Sequence, residues 1–173
     1  MVDDDQREDP PAATVAEAVA DRLKERIYAT ITMISVVVGL SFSGVSALGA
    51  TATVLTTALG LWLAAFVVDQ QAHRTVHRHR ATGFELRRML YVSSPLLSCA
   101  VGPAVLIGLS ALDVLPLHSA SLTAAGLGVV SLFLWGCLGG LRMGGGVPPA
   151  VVAGLLDAII GVGVALVKAT AGH

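Results

Sequence analysis

Residues 69–88 read DQQAHRTVHRHRATGFELRR. This polar stretch separates two long apolar runs and carries Arg74, Arg78, Arg80, Arg87 and Arg88. Beyond the first 26 positions, the only other basic residues are Arg142 and Lys168. Apolar segments follow one another with short gaps between them. All of these basic residues except Lys168 fall in the second and fourth gaps. Positive charge is retained on the cytoplasmic side of a membrane. The pattern therefore sets both the class of fold and its orientation.

Composition agrees. The chain has 173 residues, of which 54% are hydrophobic and 13% charged, and its mean hydropathy is +0.77. A soluble domain carries about 25% charged residues. Half that density leaves too little polar surface to face water on all sides. In lipid only helices and closed barrels can span, and the apolar runs here are continuous, not alternating, which selects helices. The expected fold is all-α: a polytopic membrane protein, a bundle of five transmembrane helices with an N-terminal amphipathic surface helix.

The expected spans are 27–42, 47–68, 89–112, 119–141 and 149–168, each near the ~20 residues that a bilayer requires. Residues 1–11 read as a disordered acidic tail, with Pro10 and Pro11 blocking regular structure. An acidic start also lacks the basic region of a signal peptide. Residues 12–26 read as a cytoplasmic amphipathic helix. Thr14 and Glu17 have capping-box spacing, Val15, Val19, Leu23 and Ile27 form an apolar stripe, and Asp21, Arg22, Lys24, Glu25 and Arg26 lie off it. The 69–88 segment is cytoplasmic and basic, and 169–173 is a short tail. The N-terminus is then cytoplasmic and the C-terminus outside, with ten of the eleven Lys and Arg residues inside. Tyr28, Trp62, Phe66, Phe84, Tyr91, Phe133 and Trp135 map to the same half or its boundary. The chain has no Asn and two Lys against nine Arg. That coding bias points to a GC-rich bacterial genome and so to a bacterial plasma membrane.

Asp157 is the costliest residue in this topology, since a charged side chain near the middle of a span costs at least about 2.5 kcal/mol. One reading is an ion or substrate path of Asp157, Thr32, Ser35 and Thr56. The other is an interhelical hydrogen bond to a hydroxyl, for which Thr30, Thr32, Ser35, Thr53, Thr56 and Thr57 are available. Arg74, Arg78, Arg80, Arg87 and Arg88 suit contact with anionic lipid head groups. His73 and His77 have the i, i+4 spacing of a weak metal-ligand pair, but the neighbouring arginines oppose a cation, and no metal site is assigned. Glycines crowd spans four and five, as close helix packing requires. Pro95 and Pro103 predict a kink in span three. Cys99 and Cys137 read as free thiols. No His, Ser or Cys constellation has catalytic spacing, so the expectation is a non-enzyme without cofactor or nucleic-acid partner.

Residues 27–32 (IYATIT), 57–64 (TALGLWLA), 86–90 (LRRML) and 155–161 (LLDAIIG) resemble a family of small actinobacterial five-span membrane proteins with no settled activity. The layout, with a cytoplasmic segment after span two, is also similar to the vacuolar iron transporter family. In that family the segment is rich in Glu and binds metal, and the first span carries acids for the ion path. Here the segment is basic, and span one has Met33 but no acid deeper than Glu25. Two functions follow as expectations. One is a small ion or solute transporter with a polar path around Asp157. The alternative is a non-transporting accessory or structural subunit of a membrane complex. The expected partners are the bilayer, its anionic lipids, and a second copy of the chain or other membrane subunits.

Overall fold

The computed structural model describes residues 12–77, 82–142, 144 and 146–171, with side chains described from residue 17 and not at 76 and 77. The expected tail, the Thr14 cap, Arg78, Arg80 and the His77 ring lie outside the described residues. The chain forms α1 (Ala12–Phe42), α2 (Ala47–His77), α3 (Gly83–Ser98), α4 (Val101–Ala111), α5 (Leu117–Arg142) and α6 (Val147–Ala171). No strand occurs among the described residues. Five helical stretches are long and apolar enough to cross a membrane, with α3 and α4 together forming the third. Their number and order match the expected spans, and they are compatible with an integral membrane protein.

The outer surface agrees with that class. Leu55, Leu59, Leu63 and Val67 on α2 are exposed, as are Leu155, Leu156, Ile159 and Leu166 on α6. In water, apolar faces of this extent are association surfaces; in hydrocarbon they carry no such penalty. The core is small. Met33, Ile34, Val37 and Val38 of α1 pack with Val54, Ile107 and Leu132, so α1 is the central helix.

Consecutive spans run antiparallel. Arg26 lies over Trp135 near one end of the α1–α5 pair, and Phe42 meets His118 edge-on at the other, with ring centres 5.8 Å apart. The α5–α6 pair is the closest. A Cβ built on Gly140 would lie 2.5 Å from the Ala150 Cα, and one on Gly136 would lie 2.7 Å from the Gly154 Cα. Only residues without a side chain let two backbones approach this far.

Three features refine or correct the expected layout. First, the entry helix expected to run into the first span is continuous with it, α1 passing unbroken through Arg26 and Ile27. Second, α2 continues to His77, beyond the apolar run ending at residue 68. Gln, Ala and Arg are good helix formers, and leaving the apolar layer does not end a helix. Third, the span expected at 89–112 is two helices, interrupted at Cys99 and Ala100.

Candidate functional site

The interruption in the third span forms one wall of a cleft. Pro103 has no N–H for the Cys99 carbonyl four residues earlier, and its ring crowds that carbonyl. Pro95 likewise leaves the Tyr91 carbonyl without its helical donor, and the Ser94 hydroxyl donates to it instead at 2.9 Å. Between the two prolines the backbone stays in the right-handed helical region, at φ −66°, ψ −22° for Cys99 and φ −79°, ψ −18° for Ala100, so the interruption is a kink. Cys99 N–H donates to Pro95 O at 3.0 Å and Ala100 N–H to Leu97 O at 3.2 Å.

The cleft has a volume of about 400 Å³ and lies between α1, the α3–α4 junction and α5. Arg26, Thr30, Met33, Ile34 and Val37 face it at the spacing of one α1 side. Ser98, Cys99, Gly102 and Pro103 come from the junction, and Leu127, Gly128, Ser131 and Trp135 from α5. Its polar groups are arranged simply. Thr30 donates to Arg26 O at 2.8 Å, Ser98 to Pro95 O at 3.1 Å and Ser131 to Leu127 O at 2.8 Å. Each hydroxyl proton is thus committed to its own helix. What remains for a ligand is oxygen lone pairs, with donors supplied by Arg26 at one end. Met33, Ile34, Val37 and Leu127 make much of the rest apolar. The lining is suited to a ligand with a polar portion and an apolar portion.

The expected path residues are not gathered here. Asp157, Thr32, Ser35 and Thr56 do not line the cleft. Helical spacing puts Thr32 and Ser35 on the opposite side of α1 from Met33 and Val37. Thr32 donates to Tyr28 O at 2.9 Å. Thr56 is exposed on α2 and donates to Ala52 O at 2.8 Å. Asp157 packs against α5: a Cβ on Gly136 would lie 2.6 Å from its carboxylate oxygen. Gly136 adjoins Trp135, so Asp157 and Arg26 flank α5 at a similar level on different sides. Among the described residues Asp157 makes no hydrogen bond or ion pair, and of the hydroxyls expected to serve it Thr30, Thr32, Thr53 and Thr56 donate to backbone carbonyls of their own helices.

The basic segment is partly described. Arg74, Arg87 and Arg88 are exposed. Arg74 also donates to the Gln70 side-chain oxygen at 3.3 Å. His73 lies 3.5 Å from the Glu85 carboxylate, and Glu85 also closes a capping box with Thr82 at the start of α3. Glu85 thus ties the end of α2 to the start of α3. Among the described residues no cluster of three or more His, Cys, Asp or Glu side chains could hold a metal ion.

Sequence inspection missed Arg26, Ser98, Ser131 and Trp135 as neighbours. The prolines marked the break, but nothing within span three says which helices pack against it. No family model, curated protein or solved structure matches the chain.

Proposed function

We propose that this chain is a multi-pass membrane protein whose ligand site is the cleft beside the interrupted third span, and that it passes a small polar or amphipathic solute through that cleft. The orientation is the one that the charge pattern favours: N-terminus cytoplasmic in a bacterial plasma membrane, C-terminus outside. One observation carries the reading. The proline kink at Cys99–Ala100 coincides with the cleft. Prolines in a span free backbone carbonyls, and such places are tolerated where they line a cavity.

Proteoliposomes test this directly. Vesicles containing the full chain should swell faster than empty ones in at least one iso-osmotic solute among glycerol, potassium chloride and sodium phosphate. Modification of Cys99 with a methanethiosulfonate should abolish the difference. Permeability equal to empty vesicles for all three, with Cys99 unreactive, contradicts the proposal.

An assembly role is the second reading, and it rests on Asp157. A carboxyl inside a span without a partner among the described residues suits a group offered by another membrane subunit or a second copy. In that case Asp157→Leu should lower the mass of the detergent-solubilised complex measured by light scattering. An unchanged mass counts against it.

A further inference from the structure

We propose that the basic end of the bundle contains a binding site for a phosphate-class anion, built by Arg22, Arg26 and Arg142 above Tyr91 and Trp135. These five side chains line a chamber of about 280 Å³ between α1, α3 and α5. The sequence places Arg22 and Arg26 one turn apart on α1, and Trp135 and Arg142 two turns apart on α5, so each helix turns a single side toward the chamber.

Two of the guanidinium groups lie over aromatic rings. The Arg22 guanidinium carbon sits 4.1 Å from the centre of the Tyr91 ring, and that of Arg26 sits 4.2 Å from the centre of the Trp135 ring. Stacking fixes the plane of a guanidinium and leaves its N–H edge free. That edge matches two oxygens of a phosphate.

Among the described residues no carboxylate forms an ion pair with these edges. Among the described residues the ion pair present is His73 with Glu85, and none of the three arginines takes part in one. The nearby acids lie elsewhere: the charges acting on Glu25 are Lys24, Asp69 and Asp21, and those acting on Asp69 are Asp21 and Lys24. The α1 charges are thus sorted, with acids and Lys24 toward α2 and Arg22 and Arg26 toward α3 and α5. Three cations with no counter-charge paired to them among the described residues make a site complementary to an anion.

Arg26 and Trp135 line the cleft as well as the chamber. A lipid whose phosphate lies in the chamber therefore finds an apolar wall at Met33, Val37 and Leu127 for its chain. A free phosphate would use the chamber alone. The site does not depend on whether the cleft passes a solute.

The test uses the full chain in a neutral maltoside detergent. Trp62→Phe leaves Trp135 as the single tryptophan, so its fluorescence reports the chamber. Titration with dihexanoyl phosphatidic acid should saturate. Arg22→Gln and Arg26→Gln should each weaken binding about tenfold, the loss expected for one charge-assisted pair, and the double variant should abolish it. Arg142→Gln, at an exposed helix end, should weaken binding too, and stands in if the inner variants do not fold. Lys168→Gln, exposed in the last turn of α6 and not lining the chamber, should leave it unchanged. Displacement of the lipid by inorganic phosphate would identify a free anion as a sufficient ligand; binding of the lipid without such displacement would identify a head group with its chain. Both support the site. It is overturned if neither probe binds saturably, if dihexanoyl phosphatidylcholine binds as tightly, or if the folded arginine variants bind like the parent.

Discussion

The two sides of α5 are packed in opposite ways. Toward α6, Gly136 and Gly140 meet Gly154 and Ala150 so closely that a single added carbon would lie 2.5–2.7 Å from backbone atoms. Toward the interrupted third span there is a cleft of about 400 Å³, and a Cβ added at Gly102 would meet nothing within 4 Å. Glycine therefore has different roles on the two sides. In the seam it permits backbone contact, the main source of helix association when lipid removes the hydrophobic advantage. Across the cleft Gly102 leaves room, whereas Gly128 of α5 packs against Ile34, where an added Cβ would lie 2.7 Å from its Cγ1. One helix thus joins a rigid pair to an open site.

The comparison breaks first if the seam accepts bulk. Gly140→Val forces two backbones apart and should destabilise the protein by about 3 kcal/mol, read as a lower midpoint in dodecyl sulfate unfolding. A tolerated valine would mean that α5 and α6 are not in close contact. Pro103→Ala should act in the opposite direction. It gives back a donor for the Cys99 carbonyl and should raise stability by about 1 kcal/mol, while the straightened span narrows the cleft and slows thiol labelling of Cys99. Gly102→Ala sharpens the contrast with Gly140: an open helical position should gain a fraction of about 1 kcal/mol. Thr56→Ala should do least. Its hydroxyl bonds its own helix on an exposed face, so stability should stay within about 0.5 kcal/mol and solute flux should not change. A flux defect in Thr56→Ala would restore the path through Asp157.

The span count and order could be read from residue types because bilayer thickness and the siting of positive charge act along each segment separately. The interruption was half legible: Pro95 and Pro103 predict a kink, yet the position of the break and the helices facing it depend on packing between distant segments. Asp157 stood out because its cost is intrinsic to the residue. Its contact with Gly136 is set by the register of α5 against α6, which neither helix specifies alone. Arg22 and Arg26 were hidden for a related reason. Charged residues beside an apolar stripe read as a solvated face, whereas the structure seats them on Tyr91 and Trp135. The aromatic residues grouped at the same boundary were the available clue.

The difference between cleft and seam is tested most directly by the chain's two thiols. Cys99 lines the cleft, and Cys137 faces Gly154, where an added Cβ would lie 2.5 Å from its sulfur. Both residues are half-buried, but Cys99 opens on the cleft while the Cys137 sulfur is packed on the α6 backbone, so in reconstituted vesicles sulfonatoethyl methanethiosulfonate should modify Cys99 at least about tenfold faster than Cys137. Equal rates, or faster modification of Cys137, would contradict the account.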